Sequence, residues 1–503
     1  MNLSKYLSLV LAITSTLFIN TAFAQNAVKP VISGDYADPS IIKAKDTYYA
    51  IGTSSEWAPH FPVYTSKDLM NWEQTGYVFD KAPEWTSGSF WAPEYDYNNG
   101  TYFIYYTARR KSDGISCIGV ATSKSPDEGF VDHGVIIEHG KEAIDGFVFV
   151  DNGVRYITYK AYGLDKRPIE ILGVKLSNDG LKVEGETFSM MKDDAGKGLE
   201  GQSFMKVGDY YYMFYSAGAC CGIQCDYNVG VARSKSFRGP YEKYAQNPIL
   251  SENEAWKCSG HGTFVKTEQG KYYYLYHAYN KQTTVFAGRQ GMLAELTWPE
   301  KNGWPKFKEV SGPNTSKDLS FNFTDKTLSK SWQWDFRNST PKISQGNGKL
   351  NLSGAVAASN LTGIALTVRP VSAIFEATTT VINSNTAIKG ISYYGDASAA
   401  VGVGVTGNQV QFWKIQNKQK TVLASQTING TGNVQLKFKV ASNLEVTTFY
   451  KQGQDDWKAL NSETKVDVNF LPQWDRSPRI GLNFNGKPEE VASFSDFNLK
   501  YTP

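Results

Sequence analysis

The chain has 503 residues, too many for one ordinary hydrophobic core, so two domains are expected. Its net charge of +3 is spread thinly and makes no electrostatic case for a nucleic-acid partner. Aromatic residues make up 14% of the chain, with 30 Tyr and 12 Trp, a content that suits sheet packing and also suits sugar rings.

Residues 1–24 read as a signal peptide: Lys5 is the charged start, Leu7 to Ile19 an apolar run, and Ala22-Phe23-Ala24 a small-x-small cleavage site. No later stretch reaches the length of a membrane span. The mature protein is therefore expected to be soluble and exported, periplasmic or extracellular. No Cys follows the cleavage site, so no lipid anchor is expected there.

Residues 25–312 carry a fivefold pattern. Each unit opens on a charged residue or His beside a small residue or Pro, passes through an apolar stretch and a turn, and enters a Tyr-rich strand. The openings are Asp38-Pro39-Ser40, Trp91-Ala92-Pro93-Glu94, Asp145-Gly146-Phe147, Glu200-Gly201-Gln202 and His261-Gly262-Thr263. The strands that follow are Tyr48-Tyr49-Ala50-Ile51-Gly52, Tyr102 to Tyr106, Tyr156 to Tyr159, Tyr211 to Tyr215 and Tyr272 to Tyr276. Turn signals such as Asn99-Gly100, Asn152-Gly153 and Gly208-Asp209 mark hairpins between them. The spacing of roughly 50–60 residues leaves room for four short strands per unit. Long helical periodicity is absent, so the expected fold is all-β, a five-bladed β-propeller.

In a propeller the first strand of each blade lines the central channel. Asp38, Glu94, Asp145, Glu200 and His261 are then expected at one register, converging on one mouth. Clustered carboxyls can cleave a glycosidic bond. One protonated carboxyl serves the leaving oxygen, and an ionised one on the opposite face activates water. A third can raise the acid's pKa, because like charges resist simultaneous ionisation. A metal cage is the rival use, but it calls for closely spaced acids in one loop.

At this point the sequence resembles glycoside hydrolase family 43. The resemblance rests on Ala37-Asp38-Pro39-Ser40, Pro62-Val63-Tyr64, Phe90-Trp91-Ala92-Pro93-Glu94, Ala143-Ile144-Asp145 and Leu199-Glu200-Gly201. It continues through Ser259-Gly260-His261-Gly262, Tyr276-His277-Ala278-Tyr279, Gly288-Arg289 and Gly303-Trp304-Pro305. It implies an inverting mechanism, with Asp38 as general base, Asp145 as pKa modulator and orienter, and Glu200 as general acid. No cofactor is required for that chemistry. Glu94 stands open between substrate contact and a structural role, and His261 between bordering the sugar and packing. Arg289 is expected to pair with the acidic cluster and a sugar hydroxyl. His277 resembles the histidine that faces the channel and holds an ion, often calcium, through waters; a satisfied core histidine is the other reading. Trp57, Phe61 and Trp91 are candidates for stacking on a furanose ring or for ordinary packing.

Five Cys follow: Cys117, Cys220, Cys221, Cys225 and Cys258. An odd count leaves at least one thiol unpaired within the monomer. Cys220-Cys221-x-x-x-Cys225 lacks a second ligand pair for zinc. Two disulfides among the last four, leaving Cys117 free, stand against five reduced thiols.

Residues 315–503 change character. Cys vanishes and alternating segments appear, such as Val434-Gln435-Leu436-Lys437-Phe438-Lys439-Val440, the pattern of an antiparallel β-sandwich. The stretch from Leu319 to Trp334 resembles the concanavalin-like sandwich attached to some family 43 xylosidases and arabinofuranosidases. It is expected either to prop the propeller or to bind carbohydrate. The expected activity is exo-acting release of α-L-arabinofuranose from plant polysaccharide or oligosaccharide. Alternatives are a β-D-xylosidase, an endo-arabinanase and, from another class, an inactive sugar-binding propeller.

Overall fold

A computed structural model describes residues 27–313, 318–430 and 432–501. The expected signal peptide, 1–24, lies outside the described residues. Apart from a 3₁₀ turn at Thr284–Phe286, the described elements are all β-strands. The fold is a five-bladed propeller followed by a β-sandwich.

Each blade is a four-stranded antiparallel sheet. The innermost strands are Ser40–Ala44, Thr86–Asn98, Ala143–Asp151, Glu200–Val207 and Trp256–Lys266. Each pairs with the Tyr-rich strand that follows it, starting at Thr47, Thr101, Val154, Tyr210 and Tyr272. Aromatic side chains fill the space between blades, as where Phe61 meets Phe90 and Tyr106 edge to face. The N-terminal segment closes the ring: Ile32 bridges Gly291 in the last blade, and Ile41 N–H donates to Thr263 Oγ1 at 3.0 Å.

From Leu319 to Lys500 the strands form an eight-stranded and a six-stranded sheet. In Gly432–Val440, the fully buried Val434, Leu436, Phe438 and Val440 alternate with polar residues, so one face meets the core and the other meets solvent. That core does not stop at the sandwich. It runs on into Tyr227, Tyr279 and the Cys225–Cys258 disulfide of the propeller. Trp334–Asp335 also pairs with Trp57–Ala58, a two-stranded link between the two sets of sheets.

Candidate active site

The site is built on a feature that the sequence pattern hides. Each innermost strand, or the residues leading into it, carries a bulge at the channel mouth. The ladder skips two residues between Trp91 and Glu94, between Ile144 and Phe147, between Glu200 and Ser203, and between Gly260 and Thr263. In the first blade the same step separates Ala37, whose carbonyl accepts Thr53 N–H, from Ser40. The first skipped residue is left-handed in every blade: Asp38 (φ 50°), Ala92 (42°), Asp145 (58°), Gly201 (57°) and His261 (42°). Outside glycine this conformation costs on the order of 1 kcal/mol or more, so something must hold it.

What holds it is a ring of hydrogen bonds from blade to blade. Ala92 N–H donates to Thr53 Oγ1 (2.9 Å), Asp145 N–H to Thr107 Oγ1 (3.2 Å), His261 N–H to Ser216 Oγ (2.8 Å) and Asp38 N–H to His277 Nδ1 (3.0 Å). The acceptors share one register, on the second strand opposite the residue before the bulge. In the third blade that register holds Lys160, which cannot accept. There Gly201 N–H goes instead to the Asp145 carboxylate, Oδ2, at 3.0 Å.

The bulge corrects the expected register. Asp38, Asp145 and His261 are the bulge residues, but Glu200 lies one residue before its bulge and Glu94 two residues after. Gly201 takes the bulge position in blade four because the His261 ring lies against it; a Cβ there would come within 2.8 Å of that ring. His261 Nδ1 sits 3.5 Å from Asp38 Oδ1 and 3.9 Å from Asp145 Oδ2, so it joins two of the acids. Glu94 stands apart, hydrogen-bonded to Ser40, with its carboxyl pushed well up by burial.

The three remaining acids have unlike surroundings. Asp38 accepts Thr53 Oγ1–H at 2.6 Å and pairs with Arg289 Nη1 at 3.2 Å, and His277 Nδ1 lies 3.2 Å from its Oδ1. Burial alone would raise its pKa. Arg289, then His261, outweigh burial and hold the carboxyl well below the usual range. Glu200 Oε2 pairs with Lys160 Nζ at 2.7 Å, and its Oε1 accepts Tyr227 O–H at 2.9 Å. Here too burial is outweighed, chiefly by Lys160, and the carboxyl is lowered. Asp145 has no cation in contact. Burial, with the Glu200 and Asp38 charges, pushes it up to about 6 against the pull of His261 and Lys160.

Arg289 is buried and ties the site together. Its Nη1 also reaches Cys221 Sγ at 3.4 Å, and its Nη2 donates to the Asp475 carbonyl at 2.9 Å. Asp475 belongs to the sandwich. Its Oδ2 accepts Trp91 Nε1–H at 3.0 Å, and the neighbouring Trp474 meets Trp91 edge to face while remaining 60% exposed. Sequence reading missed Trp474, Asp475, Thr53, Tyr227 and Lys160. The first two lie in a stretch with no motif. The last was within reach, since Tyr106-Thr107, Tyr159-Lys160, Tyr215-Ser216 and Tyr276-His277 line up at the ends of the Tyr-rich strands.

Two expected stacking residues are not at the mouth surface. Trp57 is 1% exposed, packed on Tyr394 and Arg479 of the sandwich, and Phe61 is fully buried among Phe79, Phe90 and Tyr106. Neither ring has a face open to a sugar; Trp91 is half-buried at the rim.

His277 is fully buried, stacked on Tyr227, and kept neutral by burial, which pulls its pKa down to about 4. Since Nδ1 accepts the Asp38 N–H, the neutral ring carries its proton on Nε2, which has no partner among the described residues. A protonated Nε2 offers no lone pair to a cation. Among the described residues, no three His, Cys, Asp or Glu side chains form a group that could hold a metal. The ring therefore cannot ligate calcium directly, and an ion in the channel would meet it only through waters. Disulfides join Cys220 to Cys221 and Cys225 to Cys258, and Cys117 is a buried free thiol.

Residues 320–476 match the profile described as "Beta xylosidase C-terminal Concanavalin A-like domain". The chain is 29% identical over 317 residues to a non-reducing end alpha-L-arabinofuranosidase of Bacteroides ovatus, a match covering 59% of this chain and 56% of that relative's length. It is 26% identical to a beta-xylosidase of Bacillus subtilis, covering 65% and 68% of the two chains. Among solved structures, a xylan beta-1,4-xylosidase from Bacillus halodurans shares the fold at a TM-score of 0.81 and 20% identity, over 94% of this chain and 100% of that one. The profile "Glycosyl hydrolases family 43" matches residues 27–305, which contain Asp38, Asp145 and Glu200, and the chain belongs to that family.

Proposed function

We propose that this glycoside hydrolase acts from chain ends, releasing α-L-arabinofuranose from plant polysaccharide or oligosaccharide with inversion. The observation that carries the reading is the unlike state of the acids around one mouth. Asp38 is held ionised by Arg289 and suits a general base acting on water. Asp145 and Glu200 form a pair in which a proton is retained up to about pH 6. In the resting site that proton sits on Asp145, because Lys160 holds Glu200 ionised. For Glu200 to serve as general acid, the proton must lie on Glu200 when a leaving oxygen is against it. Asp145 is then the anion that keeps it there.

The exo assignment is supported by the Trp474–Arg476 segment. Its Asp475 holds Arg289 and Trp91, and its exposed Trp474 stands against Trp91, a wall beside the acids that suits a chain end better than the middle of a chain. Export fits relatives that are named extracellular, among them an exo-α-(1→5)-L-arabinofuranosidase of Cellvibrio japonicus. A β-D-xylosidase is the second reading, favoured by the profile matched at 320–476.

The deciding experiment compares hydrolysis of nitrophenyl α-L-arabinofuranoside and nitrophenyl β-D-xyloside, with the anomer first released followed by proton NMR. Preference for the arabinofuranoside with inversion is expected. Preference for the xyloside selects the second reading. Binding of arabino-oligosaccharides without hydrolysis would make the protein an inactive sugar-binding propeller.

A further inference from the structure

Four of the five blades complete the hydrogen-bond ring with a neutral acceptor: Thr53, Thr107, Ser216 and His277. Blade three places a lysine at that register. The substitution has a cost, because a buried ammonium must be desolvated and the bulge N–H of the next blade must find another acceptor. Both demands are met by acids of the site. Gly201 N–H goes to Asp145 Oδ2, and Lys160 Nζ goes to Glu200 Oε2 at 2.7 Å. A second carboxylate, Glu142 Oε1, lies 3.3 Å from the same ammonium. Glu142 is 7% exposed and accepts no hydrogen bond at that oxygen, so Lys160 is its partner. Lys160 thus stands between one carboxylate of the site and one outside it.

We propose that Lys160 is a positioning residue that decides which member of the Asp145–Glu200 pair carries the proton, with Glu142 as the counter-anchor that draws the ammonium away from Glu200. In the resting site the close Lys160 contact keeps the proton off Glu200. When the ammonium swings toward Glu142, Glu200 becomes the better proton holder and Asp145 gives up the proton the pair shares. The count balances: one proton, two carboxyls, and one cation that moves between two anions. The other charged or titratable groups facing the pair are His261, Asp38 and Tyr227, and they do not change partners in this exchange.

The inference rests on the proposed assignment of Glu200 as the acid, and its test separates the two. Lys160→Met should move the basic limb of the kcat/KM profile upward by roughly one pH unit or more. The acidic limb, set by Asp38, should stay in place. Lys160→Arg, which keeps the charge, should hold both limbs near the wild-type positions. Glu142→Gln should move the basic limb the opposite way, because the ammonium loses its counter-anchor and leans harder on Glu200. A structural role alone would lower activity at every pH and leave the limbs unmoved, and that result would overturn the proposal.

Carboxyl-13C NMR of glutamate-labelled protein gives a reading that needs no turnover. With Glu200 assigned by its absence in Glu200→Gln, its titration should shift up in Lys160→Met and down in Glu142→Gln. An unmoved titration refutes the inference even if the enzyme is active. A shifted titration in a protein that hydrolyses no glycoside keeps it while sinking the proposed function. Should Lys160→Met fail to fold, the direction of the Glu142→Gln shift decides.

Discussion

The two sides of the channel mouth use one backbone device to opposite ends. On the first side the bulge presents Asp38, and the ring partner is His277, a neutral acceptor that leaves Arg289 free to clamp the carboxylate. On the other side the bulge presents Asp145, whose ring partner is Thr107, and the ring position of its own blade is Lys160, which cannot accept and leaves Gly201 N–H to the Asp145 carboxylate. The Asp38 side is locked in one charge state, whereas the Asp145–Glu200 side retains a proton that has two places to sit. The difference comes from which side chain occupies the second-strand register, not from any change in the fold. A repeated scaffold can therefore set two bulge aspartates in unlike charge states through the side chains placed beside them.

Removing the locked side should have the largest effect. Asp38→Asn should lower kcat/KM on the order of 10³–10⁴-fold on every substrate, whatever its leaving group, since Asp38 is the carboxylate proposed to activate the water. Steady-state assays on aryl glycosides and on oligosaccharides would show it, and a loss confined to one class would undo the assignment of Asp38.

The other side should respond to chemistry at the leaving oxygen. Glu200→Gln should cost on the order of 10²–10³-fold on oligosaccharides and far less on nitrophenyl glycosides, which need little protonation. Asp145→Asn should impair both classes alike. If the leaving-group dependence appears in Asp145→Asn instead, the acid is Asp145, where the resting proton already sits.

The smallest expected effect is on stability and comes from the same contrast. The Asp145 carboxyl in the folded protein holds its proton up to about pH 6, well above the ordinary aspartate value. Between roughly pH 4 and 6 the folded state binds more protons than the unfolded one, so stability falls as pH rises through that window. Above it the full penalty remains, on the order of 2–3 kcal/mol. Asp145→Asn should therefore raise the Tm by several degrees at pH 7 and by little at pH 4. Differential scanning fluorimetry at the two pH values checks this, and a pH-independent difference would mean the carboxyl is not strained by its surroundings.

Much of this architecture was legible before any coordinates. Tyr-rich strands, Asn-Gly turns and the spacing of the openings gave the blades, and alternation in Val434 to Val440 gave a sandwich sheet. The candidate acids were also in view. Their register was not, because a bulge adds a residue without leaving a mark in composition. Glu94 and Glu200 therefore looked equivalent to Asp38 and Asp145. Contacts across the chain were invisible for a different reason: Trp91 and Asp475 are 384 residues apart, and nothing local announces their pairing. Trp57 and Phe61 misled because an aromatic residue reads the same whether it faces a partner sheet or a ligand.

The ring bond from Asp38 to His277 spans 239 residues, and its consequence is temporal. During synthesis the first blade emerges long before the last, yet its bulge has no partner until blade five is made. The segment around Ile32 likewise waits for Gly291. Closure of this kind makes the contact order high and ties the completion of the first blade to that of the last, so slow folding is expected. Asp38 is thus among the first residues of the site to be made and among the last to reach its place in the ring. A truncated or nascent chain would not hold a prematurely assembled site.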